Sequence, residues 1–305
     1  MRTSVKLSAA VAAAATLGLG ACSAPSDAGS GAGSSGGTDA PLTVAATPTP
    51  HGDILNYVRD NLAKDAGLEL EVREFDDYVL PNTATQSGEV DANFFQHKPY
   101  LDDFNEQKGT DIVPVVNVEL EPLGLYSEKL DAVSGLEPGS TVALPDDATN
   151  EGRALKLLAD NGAIELKDGV GSEATLADIE DDKGLRFKEL EAAQIPTRLA
   201  DVDAAVVNGN YAIGADLKPA KDAIVLEKAE NNPYANFLAV KKGNEDDPRV
   251  KKLAKLLNSD PVEKFIQDRF EGSILPAFGP VGLRGGCGCE GSDQVLMIVF
   301  CTLLL

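Results

Sequence analysis

Two histidines are the only imidazoles among 305 residues: His51 in "PTPHGD" and His97 in "NFFQHKPY". A histidine general base needs a nucleophile beside it, and neither lies in a motif such as G-x-S-x-G. P-loop and paired-glycine dinucleotide signatures are absent. A zinc cluster draws on several His or Cys. The four cysteines are Cys22, Cys287, Cys289 and Cys301, so residues 23–286 offer neither a thiol nucleophile nor a disulfide. Acidic pairs such as Asp76–Asp77, Asp102–Asp103 and Asp146–Asp147 read as solvated turns in a chain of formal net charge -22. The expectation is no catalytic residue, no metal and no cofactor. The acidic charge also argues against nucleic acid as a partner, because phosphates repel it.

Binding chemistry is better represented. Phe94, Phe95, His97 and Tyr100 fall within seven positions, in a chain with 5% aromatics and no Trp. At a strand end adjacent side chains point to opposite faces. Phe94 therefore belongs to the core and Phe95 to the site. "LPDDATNEGRAL" supplies a cation, Arg153, and "VVNGNYA" supplies the amides of Asn208 and Asn210. Together with "TPTPHGD", these stretches follow strands, where open α/β sheets bind ligands.

The elements that must position them alternate. "LTVAA" (42–46) is an apolar strand, and Ile54, Leu55, Val58 and Leu62 share one helix face that Gly67 ends. "LELEVREF", "VDANF" and "DIVPVVNV" read as strands, with a helix over "PYLDDFNEQK". "STVALP" leads to a helix at "NEGRALKLLADNG", and "DAAVVN" to one at "GNYAIGADL". "FLAVKK" precedes two late helices, "DPRVKKLAKLLN" and "PVEKFIQDRF". Repeated strand–loop–helix units predict an α/β fold with largely parallel sheets. Residues 42–120 form one block and 121–225 another, with 226–279 returning to the first. A chain that crosses twice between lobes makes a hinge and an interlobe cleft.

The ends differ from this body. Residues 1–22 read as an export signal: Arg2 and Lys6, an Ala-rich apolar run too short to span a bilayer, then "LGAC". Small residues before Cys22 resemble a lipobox, which makes Cys22 the lipid-carrying residue. Residues 23–41 are mostly Gly, Ser and Ala, the composition of a flexible tether. Residues 280–305 contain "CGC" and an apolar end, and read as an aberrant or disordered extension.

In order along residues 42–278, "PHGDILNYV", "FDDYVLPNTAT…GEVDANFFQHKPYLD", "EPLGLYS", "PDDATNEGRALKLL", "LKDGVG", "DAAVVNGNYA" and "NPYANFLAV" resemble the NlpA/MetQ family. The family comprises methionine-binding lipoproteins of ATP-driven importers. The resemblance implies a two-lobed periplasmic-binding-protein fold, type II-like, holding an amino acid between lobes. It implies that Arg153 pairs with the ligand carboxylate, so that the partner charge belongs to the ligand and removing Arg153 spares folding. Tyr78, Phe95, His97 and Tyr100 match the side-chain pocket, and Asn208 and Asn236 the residues holding amino and carboxylate groups. Asn210 and His51 are weaker candidates, His51 serving equally well as a helix-start residue.

The function expected is capture of L-methionine, or its D-enantiomer, by a non-enzymatic lipoprotein. It is anchored through lipid to the extracytoplasmic face of the cell membrane and delivers its ligand to a permease with an ATPase subunit. The rivals are a binder of a methionine-containing dipeptide or another amino acid, and a surface lipoprotein adhesin, which would need no polar cleft.

Overall fold

The computed structural model describes residues 40–281. The signal with Cys22, nearly all of the tether, and the tail from residue 282 lie outside the described residues. The body opens with β1 (Leu42–Ala46), α1 (Asp53–Val58), β2 (Leu70–Glu74), α2 (Leu80–Ser87), β3 (Ala92–His97), α3 (Lys98–Lys108) and β4 (Ile112–Leu120). It continues with β5 (Gly124–Tyr126), β6 (Thr141–Pro145), α4 (Ala148–Asp160), β7 (Glu165–Leu166), β8 (Ile179–Asp181), β9 (Arg186–Leu190), β10 (Ala204–Val207), α5 (Gly209–Gly214), α6 (Pro219–Asp222) and β11 (Val225–Leu226). It closes with β12 (Ala235–Lys241), α7 (Pro248–Leu257), α8 (Asp260–Phe270) and β13 (Leu275–Gly279). Among the described residues, no helix is long and apolar enough to cross a membrane.

Two large sheets carry the fold. One is ordered β13-β4-β12-β3-β1-β2, the other β11-β5-β10-β6-β9, and β7 pairs with β8 alone. The chain leaves the first sheet after β4 and re-enters it at β12. The sheets are mixed, which corrects the expectation of largely parallel pairing. β1 runs parallel to β2 and β3, and β6 parallel to β9 and β10. β12, β13, β5 and β11 all pair antiparallel. The reason is topological: β5 and β12, the first strands after each crossing, do not arrive through a strand–helix–strand unit, so nothing imposes parallel direction; β11 then pairs with the reversed β5, and β13 runs against β4 as β12 does.

Each sheet has its own core. Leu42, Val44, Phe94 and Leu238 pack with Ile54, Leu55 and Val58 of α1, Leu253 of α7 and Ile266 of α8. Leu125, Val142, Leu144 and Val206 pack with Leu155 and Leu158 of α4. Truncating one of these fully buried leucines to Ala costs about 2–5 kcal/mol. The alternation expected for β3 is present. Phe94 enters the first core, while Phe95 joins Tyr100 and Phe104 in a separate aromatic cluster with Tyr78 against it.

Helix ends aim the site. At α3 the His97 imidazole caps the helix, accepting from the Tyr100 N–H at 3.2 Å, and Gly109 ends it at φ 65°. At α4 the Asp147 carboxylate accepts from the Asn150 N–H at 3.0 Å. Two glycines permit close approach. A Cβ at Gly152 would lie 2.3 Å from the Ser172 carbonyl oxygen, and one at Gly209 would lie 2.9 Å from the Glu121 Cβ. These contacts seat Arg153 and Asn208 beside their neighbours.

Candidate binding site

The ends of β3, β4 and β12, the loop after β2, the first turns of α3 and α4 and the end of β10 converge on one small cavity, about 310 Å³ when the open solvent at its mouth is counted. Its walls include Tyr78, Phe95, His97, Tyr100, Arg153, Asn208 and Asn236. The register explains part of this convergence: Asn236 of β12 lies opposite His97 of β3 on one side and Glu119 of β4 on the other. Sequence reasoning missed Gln96, Glu121, Asn150 and Tyr234, which line the same cavity. His51 and Asn210 stand behind the wall. His51 Nε2 is 3.1 Å from Asn236 Nδ2, and the Asn210 amide oxygen accepts from the Tyr78 hydroxyl at 2.6 Å.

Arg153 departs from the expectation that its counter-charge comes only from outside. Its Nε donates to Glu227 at 3.0 and 3.2 Å, and its Nη2 donates to Glu227 Oε2 at 2.5 Å and to the Glu121 carbonyl at 2.8 Å. Nη1 makes none of these bonds. The guanidinium carbon lies 4.1 Å from the centre of the Tyr234 ring, a cation–π arrangement. Burial raises the Glu227 pKa, but the charge and hydrogen bonds of Arg153 outweigh it and leave the carboxyl below its ordinary value. The carboxylate of Glu227 was invisible among 49 acidic residues. The one signal was its place at the end of an apolar run, "AIVLE".

His97 is neutral at physiological pH. Burial, aided by the Arg153 charge, pushes its pKa down to about 3. Because Nδ1 accepts from the Tyr100 N–H, Nε2 carries the proton and donates to Asn150 Oδ1 at 3.1 Å. The same oxygen accepts from Asn208 Nδ2 at 3.1 Å, and Asn150 Nδ2 donates to Asp147 at 3.0 Å. Residues of the first sheet and of the second are thus joined through one amide. The Tyr78–Asn210 bond and a 3.2 Å bond from the Tyr211 hydroxyl to the Asp76 carbonyl bridge them again.

Three acceptors on this wall have no donor: Asn208 Oδ1, Asn236 Oδ1 and Glu121 Oε1 are buried and unpaired among the described residues. Buried acceptors ordinarily find partners, so three together are suited to a guest rich in N–H donors. Arg153 faces the same space as a donor for an acid group. Tyr78, Phe95 and Tyr100 meet edge-on or tilted, with centroids 5.7–6.1 Å apart, and supply an apolar wall. Behind Glu121, His51 Nε2 is 3.1 Å from Glu119 Oε1 and 3.3 Å from Glu121 Oε1, all three residues buried.

A two-lobed α/β protein with a small polar and aromatic cavity between its sheets has the build of a solute-binding protein. This chain belongs to the NlpA lipoprotein family, whose sequence model matches residues 42–278. It is 40% identical over 242 residues to the methionine-binding lipoprotein MetQ of Bacillus subtilis, spanning 77% of this chain and 87% of that protein. It is 44% identical over 222 residues to the D-methionine-binding lipoprotein MetQ of Escherichia coli K12, spanning 72% of this chain and 82% of that protein. A nutrient-binding protein from Burkholderia cenocepacia, solved bound to methionine, superimposes with a TM-score of 0.75 at 44% identity. That match covers 78% of this chain and all of the other.

Proposed function

We propose that this protein is the substrate-binding lipoprotein of an ABC importer, and that it captures methionine in the cavity between its two sheets. The observation that carries this reading is the division of the cavity wall. Unpaired acceptors at Asn208, Asn236 and Glu121 suit an ammonium group. Arg153 suits a carboxylate, where a guanidinium gives directional, charge-assisted hydrogen bonds. The Tyr78–Phe95–Tyr100 wall suits a thioether, since sulfur–aromatic contacts are favourable. His97 serves as a neutral positioning group rather than a charged one, and His51 and Asn210 hold lining residues from behind.

Residues 42–120 with 226–279 make one lobe and 121–225 the other. Ligand binding selects the form in which the lobes meet, and a permease with its ATPase subunits recognises that form; no bond is made or broken. Lipid on Cys22 keeps the body at the extracytoplasmic face of the membrane. The direct test is mass spectrometry of small molecules released on denaturing the purified protein. Methionine in near-stoichiometric amount is expected, whereas a methionine-containing dipeptide or another amino acid in its place overturns the ligand.

A further inference from the structure

His51, Glu119 and Glu121 form a buried group with too few donors for its acceptors. All three are nine-tenths buried or more. Neither Glu119 oxygen nor Glu121 Oε1 has a well-aligned hydrogen bond among the described residues, although the Asn236 amide is close enough to Glu119 to oppose the rise in its pKa, while Glu121 Oε2 accepts from the Asn210 N–H at 2.8 Å. Two bare carboxylates in such a place are costly unless something positive joins them. The imidazole shows what that is. Nδ1 lies 2.6 Å from Thr47 Oγ1, and Asn236 Nδ2 lies 3.1 Å from Nε2. With the ring proton on Nδ1, the Nε2 lone pair receives the asparagine N–H. It then faces carboxyl oxygens at 3.1 and 3.3 Å, a contact that is attractive only when one of them is protonated.

We propose that His51, Glu119 and Glu121 form a proton site, which holds a proton while the cavity is empty and releases it when a ligand's ammonium group settles against Glu121. The inference rests on reading the cavity as an amino-acid site. Glu121 is the link, because it belongs both to this group and to the cavity wall. An ammonium among Glu121 Oε1, Asn208 Oδ1 and Asn236 Oδ1 stabilises the ionised carboxylate, and the displaced proton passes to water. Burial pushes both glutamic acids up to about 8 and His51 down to about 4, so the empty site keeps its proton on the carboxyl pair at neutrality. The pair titrates as a unit.

The other charged and titratable groups around it are few. Arg153 of α4, with its partner Glu227, acts on both glutamates. The phenols of Tyr78, in the loop after β2, and Tyr211, of α5, lie near Glu121. From β3 comes the apolar edge of Phe94, 4.7 Å from the imidazole. Glu74 of β2 comes against Gly52, next to His51 in the chain. A divalent ion among the three groups is the poorer fit, because the Asn236 N–H points at the nitrogen that would have to face it.

The test is calorimetric titration of L-methionine into the ligand-stripped full chain at pH 7, in two buffers of very different ionisation enthalpy. The difference in observed heat counts the protons released. Roughly one half to one proton per ligand is expected, with affinity rising up to about tenfold per unit between pH 6 and 7.5. Equal heats in both buffers, or an affinity flat across that range, overturn the proposal. Glu119→Gln should release less, since the remaining carboxyl loses its like-charged neighbour; release as large as the native chain's assigns the proton elsewhere. Stoichiometric metal in the purified protein, with release abolished by chelator, also overturns it. Failure of L-methionine to bind in either buffer is a different result, and strikes the functional reading instead.

Discussion

Arg153 and Glu227 form an ion pair at the cavity wall, through the guanidinium Nε and Nη2, with a shortest separation of 2.5 Å. Arg153 is 3% exposed and Glu227 16% at the side chain, so the pair is largely removed from water. Under the proposed function Arg153 therefore has two duties, one to the fold and one to the ligand. Arg153→Ala should lower the stability of the ligand-free protein by about 1–3 kcal/mol, because a mostly buried carboxylate is left unpaired. It should also weaken methionine binding by about 2–5 kcal/mol, roughly 30- to 4000-fold. Chemical denaturation of Arg153→Ala, Glu227→Gln and the double variant checks the first duty. The two single losses should sum to more than the double loss; strict additivity would remove the pair from the fold's energetics.

The unpaired amide oxygens call for a separate experiment. Asn208 donates its N–H to Asn150 and Asn236 directs its own at His51, while both oxygens lack partners. Replacement by Asp keeps an oxygen at each place but loses the donor. Replacement by Ala loses both. If the oxygens hold an ammonium, Asn208→Ala should cost about 1–3 kcal/mol of affinity. The loss should be much smaller for a methionine analogue that lacks the amino group. Equal losses for both ligands would show that Asn208 acts only through the packing of Asn150.

Much of this arrangement was legible in the chain. β3 could be read because Phe94 and Phe95 alternate, whereas the start of α4 was placed two residues late, at Asn150, because its capping acceptor Asp147 read as part of a solvated acidic turn. Arg153, Asn208 and Asn236 emerged from motifs, and all three line the cavity. Glu121 and Glu227 did not emerge, since in an acidic chain a carboxylate is ordinarily solvated. Which glutamates are buried depends on the register of β4 against β12 and on the contact with Gly209, both set by residues far away in sequence. "NVELEPLGL" did hold a hint: its acids alternate with apolar residues that proved to be core. The antiparallel strands were missed for a related reason, since direction is fixed by where the chain re-enters a sheet.

Stability of the empty protein should fall as pH rises from about 6.5 to 8. Glu119 and Glu121 have folded-state pKa values raised by burial to about 8, well above the unfolded value. Between those limits the folded state binds more protons, so raising the pH favours unfolding by up to about 1.4 kcal/mol per unit for each proton of difference. The histidines act in the opposite sense at lower pH. His51 and His97 have pKa values depressed to about 4 and 3, so their share of stability is present above 6.5 and lost as pH falls. Melting curves of ligand-free protein should therefore decline across pH 6.5–8, and Glu119→Gln should flatten the decline. A native curve that rises there would contradict neutral buried carboxyls.

Cys22→Ser tests the anchor. "LGAC" closes an apolar, Ala-rich stretch and a Gly/Ser-rich stretch follows it. The variant should lose its lipid mass and appear in soluble fractions, with binding of methionine by the body unchanged. Unaltered membrane retention, together with no lipid mass on the native protein, rules the lipid anchor out.

Ligand preference is the most discriminating prediction. A free amino acid with a thioether side chain uses all three parts of the wall: the unpaired acceptors, Arg153, and the rings of Tyr78, Phe95 and Tyr100. A ligand that binds only the folded protein adds about 4 kcal/mol at a thousand-fold excess over its Kd. In a folded body of this size that raises the melting temperature by about 8 °C. L-Methionine should give this shift in protein stripped by unfolding and refolding. Norleucine should give less, because it keeps the shape and both charged groups but has no sulfur against the rings. Glutamate should give none, since its second carboxylate would be buried against the aromatic wall without a partner. Glycyl-methionine moves the ammonium one residue further from the thioether, away from Asn208, Asn236 and Glu121 if the side chain stays in place. A larger shift with the dipeptide than with methionine would mean that the cavity opens to a longer guest. No shift with any amino acid or short peptide, in a folded sample, would sink the solute-binding reading and restore the adhesin.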